Sequence, residues 1–114
     1  MANIYKNSKL DLTTATATTL YTVPNNSRAI VKAILVTDDS NQSTDITINL
    51  FNGPPATSDK FTLFHNKTIA GHESLQLLTE PLIMLEDEVL EVTASAADKL
   101  YVIASILEIN REDR

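Results

Sequence analysis

Two histidines and two acidic runs are the residues with the most obvious capacity for chemistry. His65 and His72 stand in polar surroundings, and Glu73 follows His72 directly. A zinc site built on two imidazoles needs further ligands at a fitting spacing, and no H-E-x-x-H arrangement is present. Both histidines therefore read as surface residues beside a turn. The stretch Asp38-Asp39-Ser40-Asn41-Gln42-Ser43-Thr44-Asp45 is rich in oxygen donors. Counted from Asp39, a calcium loop of the EF-hand type would need Gly where Thr44 stands and Glu where Leu50 stands. A solvated hairpin loop is the better reading, with an irregular calcium loop as the alternative. Glu86-Asp87-Glu88 reads as a charged turn, since a paired-carboxylate site needs a cleft that a small sandwich has little room for.

The remaining catalytic patterns are missing. Two glycines cannot build a phosphate-cradling loop, no G-x-S-x-G elbow occurs, and the chain has no cysteine nucleophile. The sequence points to no enzyme, no cofactor and no metal. The 114 residues suit one domain, large enough for a core without staples. Zero cysteines exclude a disulfide framework. A net charge of −6 argues against binding nucleic acid through its phosphates. No apolar run approaches the roughly 20 residues of a helical membrane span, and MANIYKNSKL lacks the apolar segment of a secretory signal.

What must position any functional surface is a set of strands. Thr, Ile, Val and Leu fill the chain, and β-branched residues suit a pleated strand. Strands are expected over Ile4–Leu12, Thr18–Val23, Arg28–Thr37, Asp45–Phe51, Phe61–His65, Lys67–Ala70, around Leu75, Pro81–Leu85, Val89–Ala94 and Leu100–Ile109. Pro24-Asn25-Asn26-Ser27 and Gly71-His72 read as turns, and Ala94–Asp98 as a hairpin connection rather than a helical turn. Period-two spacing places Ile46, Ile48, Leu50, Leu90, Val92, Ile103 and Leu107 in the core. Leu100–Ile109 is apolar on both faces until Glu108, the pattern of a central strand covered on both sides. The expectation is all-β: an antiparallel β-sandwich, jelly-roll-like, of about eight strands. Residues 1–12 form an N-terminal arm or first strand, 13–109 the sandwich and 110–114 a polar tail.

Partner contacts are expected in two places. Ile4, Tyr5 and Lys6 put an apolar pair beside a cation in a segment that could add to a neighbouring sheet edge. Its deletion is then expected to leave the sandwich folded. Asn52, Gly53, Pro54 and Pro55 form a loop whose prolines order an exposed tip. Lys32, in phase with Ile30, Ile34 and Val36, reads as a snorkelling or edge-blunting lysine, with a charge aimed at a neighbouring subunit as the alternative. A sugar platform would want exposed aromatics, and Tyr101 falls in an expected core strand.

The run TLYTVPNNSRAIVKAILVTDDS resembles the opening of small virion proteins of tailed bacteriophages. There a Leu-Tyr-Thr-Val-Pro run, a short polar turn and an apolar strand with an embedded Lys recur. LLTEPLIMLEDEVLEVTASAADKLYVIASILEI is similar to their later half, so the resemblance covers Tyr5 to Ile109. It implies a non-enzymatic β-sandwich component of the virion with no catalytic residues. The role it implies first is a capsid decoration, or cement, protein: a homo-oligomer, trimeric, on the capsid surface, made in the host cytoplasm and partnered by the major capsid protein or other virion proteins. A neck, tail or fibre component and a carbohydrate-binding surface module are the alternatives.

Overall fold

The computed structural model describes residues 2–110. Their regular structure is nine strands: β1 (Ala2–Leu12), β2 (Thr18–Thr22), β3 (Ser27–Asp38), β4 (Thr44–Phe51), β5 (Lys60–Ile69), β6 (Ser74–Gln76), β7 (Leu82–Met84), β8 (Val89–Ala94) and β9 (Leu100–Asn110). One sheet runs β1-β9-β3-β6, with β7 also on β3, and the other runs β2-β8-β4-β5. Every pairing is antiparallel. β6 and β7 meet the same edge of β3 at its two ends, Leu35–Thr37 and Ala29–Val31, so they act as one interrupted strand. Counted that way, eight strands are divided between two sheets in the order of a jelly roll. The residues after Met84 and before Val89, expected as a charged turn, are one, with Asp87 at φ 67°.

The turns show how a chain with two glycines makes its corners. Asn26, Asn66, His72, Asp87 and Asp98 have positive φ, and neither glycine does. Asn, Asp and His tolerate the left-handed region better than other side chains. Gly71 serves close approach instead: a Cβ there would lie 2.8 Å from the backbone carbon of Asn41. The turn after β5 is thereby pressed against the loop after β3, where the His72 N–H donates to the Ser40 carbonyl at 2.9 Å.

The core lies between the sheets. Ala29, Val31, Ile34 and Val36 of β3 and Val102, Ala104 and Ile106 of β9 face Ile46 and Ile48 of β4 and Leu90, Val92 and Ala94 of β8. Three expectations need correction. Ile46, Ile48, Leu90 and Val92 are fully buried, but Leu50 is only partly so. Ile103 and Leu107 belong to the outward face of β9, with Ile103 37% exposed. β9 is central, between β1 and β3, yet nothing among the described residues covers its outer face. Lys32 is the extra residue of a bulge, since Val31 pairs with Ile106 and Ala33 with Ser105. The bulge resets the phase of β3, so Val31 and Ile34 both point inward and Lys32 points to solvent.

Candidate functional site

The first expected contact segment is an integral strand. β1 pairs with β9 without a register shift from Ala2↔Asn110 to Leu12↔Leu100. Ile4 and Tyr5 are exposed, Tyr5 at 76%. Lys6 turns to the inner side, where its Nζ is 3.4 Å from Glu108 Oε2 and 5.9 Å from the centre of the Tyr21 ring. Tyr21 donates its hydroxyl hydrogen to the same carboxylate. Glu108 is buried on the core face of β9, in phase with Val102, Ala104 and Ile106. A buried carboxylate is costly unless charge and hydrogen bonds compensate it, and here Lys6 and Tyr21 do so. Burial first, and then the hydrogen bond and negative charge of Glu108, hold the Tyr21 phenol well above its ordinary pKa. Ser8 adds a second tie between β1 and β2 by donating to the Leu20 carbonyl.

The second expected segment connects β4 to β5. Asn52, Pro54 and Pro55 are exposed and Gly53 is buried. The loop is ordered by its own backbone: the Thr57 and Ser58 N–H groups both donate to the Pro54 carbonyl at 3.1 Å, and Asn52 N–H to Asp59 at 3.2 Å. It sits at the same end of the sandwich as the start of β1 and the end of β9, but on the other sheet. The two segments thus share an end of the molecule without forming one site.

The outer face of the first sheet is the surface that sequence periodicity missed. The register aligns Tyr5, Leu107, Ile30 and Ile83 in one row across four strands. Lys9, Ile103, Leu35 and Gln76 form another, and Asp11, Tyr101, Thr37 and Ser74 a third. Tyr101, expected in a covered strand, is 41% exposed, and its hydroxyl lies 3.5 Å from Asp39 Oδ2. The carboxylate of Asp39, followed by that of Asp11, raises its phenol above the ordinary value. Outward apolar residues that span a whole sheet mark an interaction surface more often than scattered ones do. Alternating apolar residues on both faces of β9 were the available signal.

The acidic loop after β3 is organised by hydrogen bonds. Asp38 is fully buried, and its Oδ1 accepts from the Ser40 N–H at 2.9 Å and the Ser40 hydroxyl at 2.7 Å. The Ser40 hydroxyl also reaches the Gln42 carbonyl. Among the described residues no group of three or more His, Cys, Asp or Glu is placed to hold a metal ion. His65 and His72 are exposed. Of the expected polar tail, Asn110 ends β9 and its side chain accepts from Ser27, while Arg111 to Arg114 lie outside the described residues.

No family model and no curated protein matches the chain. Solved structures do. A chain of the T13 infectious bursal disease virus particle superposes with a TM-score of 0.59 at 10% identity, over 96% of this chain and 31% of that one. The VP2 subviral particle of the same virus gives 0.52 at 12%, over 94% and 30%. A Bacillus endospore appendage, one of a family of disulfide-linked pili, gives 0.54 at 14%, over 95% and 88%. At these identities the likeness is one of fold. The chain spans about a third of the viral chains and most of the pilus chain. This sequence has no cysteine for the disulfide links that the pilus family's description names.

Proposed function

We propose that this chain is a non-enzymatic structural protein of a virion, acting as a decoration (cement) protein on the capsid surface. The observation that carries the reading is that one jelly roll accounts for nearly the whole described chain and superposes on a chain of a viral particle over 96% of its length. The sequence resemblance to small tailed-phage virion proteins supports it independently. A packaged genome presses outward on its shell. A rigid sandwich that touches several shell subunits spreads that load and needs no catalytic group. Its partners are the major capsid protein and other copies of itself, with a trimer as the resemblance implies. The outer face of the first sheet, the exposed residues of β1 and the Asn52–Pro55 loop are the surfaces it offers.

The test is mass spectrometry and high-resolution imaging of purified particles from the genome that encodes the chain. Stoichiometric presence, with density over joints between shell subunits, is the expected result. Absence from the particles sinks the reading. Density at the neck, tail or fibres replaces it with the second structural role.

One observation favours a carbohydrate-binding module more than the sequence did. Tyr101 faces outward beside Lys9 and Asp11, and aromatic rings flanked by polar groups can stack on sugars. A glycan array with the parent protein and Tyr101→Ala reads this directly: binding that the substitution abolishes would support the module.

A further inference from the structure

We propose that the free edge of β1 pairs antiparallel with β1 of a second copy, about a two-fold axis through Asn7. This goes beyond the virion reading and does not depend on it.

The argument begins with the edges. A two-sheet sandwich has four, and three of them are disrupted. β2 has five residues and a register shift between Thr19 and Tyr21. β5 has two irregularities against β4 and a left-handed Asn66. The edge made by β6 and β7 consists of two three-residue pieces. Bulges and short strands are how natural sheets prevent edge-to-edge pairing. β1 has neither: eleven residues run in unbroken register on β9, and no described strand lies on its other side. Nor does Lys6 blunt this edge, because it turns inward to Glu108.

Self-complementarity selects the occupant. Two antiparallel copies related by a two-fold axis keep their inner faces on the same side, so odd-numbered residues of β1 face odd and even face even. An axis at Asn7 is the register in which all eleven residues overlap. It sets Tyr5 opposite Lys9, an aromatic ring against an ammonium group. It sets Asn3 opposite Asp11, Ile4 opposite Leu10 and Lys6 opposite Ser8. No two like charges stand across from each other. An axis at Lys6 would oppose two ammonium groups, which is destabilising. An axis at Ser8 would place Lys6 against Leu10. The pairing also gives a place to Tyr5, the most exposed large apolar side chain among the described residues. A two-fold contact closes on itself, so a trimer would need a different surface and does not compete with this one.

The absence of cysteine makes the test clean. Cα atoms of directly opposed antiparallel residues are about 4.5–5.5 Å apart, within reach of a disulfide. Under mild oxidation the free protein carrying Asn7→Cys should form a covalent dimer. Asn3→Cys alone should not, because its two copies would lie about 26 Å apart at the usual strand rise. Asn3→Cys mixed with Asp11→Cys should give a crosslinked pair. A folded Asn7→Cys protein, melting like the parent but remaining monomeric under oxidation, overturns the proposal. So does Asn3→Cys crosslinking alone as readily as Asn7→Cys. Because the free protein is used, failure here leaves the virion assignment to be judged by the particle experiment.

Discussion

Glu108 is the residue on which the edge of the sandwich depends. It is 4% exposed and compensated by one cation and one phenol. Removing the phenolic hydroxyl with Tyr21→Phe keeps the ring in place and takes away a hydrogen bond to a charged group. The expected loss is about 1–3 kcal/mol, read as a lower urea midpoint. The same pair predicts a dependence on pH. Tyr21 keeps its proton in the folded chain above the pH at which an unfolded tyrosine loses it. The unfolded state therefore binds fewer protons in that range, and stability falls as pH rises past about 10. Tyr21→Phe should flatten the fall, measured as the urea midpoint between pH 8 and 11; an identical slope in the two proteins would show that Tyr21 is not its source. Glu108 was visible in the sequence as an acid in phase with Val102, Ala104 and Ile106. Its partners were not, because Lys6 and Tyr21 are brought to it by pairings across almost the whole chain.

At the scale of elements, the strands and turns were legible because β-branched runs and Asn, Asp and Pro punctuation are local signals. The partners of each strand were not local, and neither was the sharing of one edge of β3 by β6 and β7. There Gln76 substitutes for a ladder residue: its side-chain oxygen accepts from the Ile34 N–H at 2.7 Å, and the Leu77 N–H donates to the Ile34 carbonyl at 2.9 Å. Alternation was misleading where a bulge reset it at Lys32, and where β9 kept apolar residues on a face that no described residue covers. The expected contact residues Ile4 and Tyr5 were legible as exposed apolar side chains. The open sheet face was not, since only register assembles its rows. The loop after β5 supplies a prediction of its own. A Cβ on Gly71 meets backbone at 2.8 Å, whereas one on Gly53 meets the movable Ser58 hydroxyl at 2.8 Å. Gly71→Ala should cost about 1–3 kcal/mol and Gly53→Ala clearly less. Thermal melts of the two variants should fall in that order.

Across the whole molecule, the first and last strands are neighbours for their full length. That changes what truncation should do. Without Ala2 to Asn7, the matching half of β9 keeps only its pairing with β3 and Glu108 has lost Lys6, so the sandwich should lose on the order of 2–3 kcal/mol. The sequence-based expectation that the truncated sandwich stays folded is thereby sharpened: it should fold, but at a lower urea midpoint. Denaturation of the truncated chain in urea checks it, and a midpoint equal to that of the parent would return β1 to the status of a dispensable arm. Pairings this distant in sequence also place the protein among slow folders, in milliseconds to seconds or longer.

The antiparallel partnership of β1 and β9 has a mechanical side. Ala2 and Asn110 lie at the same end of the ribbon. Tension applied at Asn3 and Asn110 therefore loads the hydrogen bonds one at a time and unzips the pair. Tension applied at Asn3 and Lys99 pulls the strands lengthwise past each other, and all the bonds resist together. In single-molecule pulling, the second attachment should rupture at clearly higher force than the first; equal forces would place the weak point elsewhere. A sandwich of this design withstands strain transmitted along its strands, and yields early to anything that tugs at the paired residues Asn3 and Asn110.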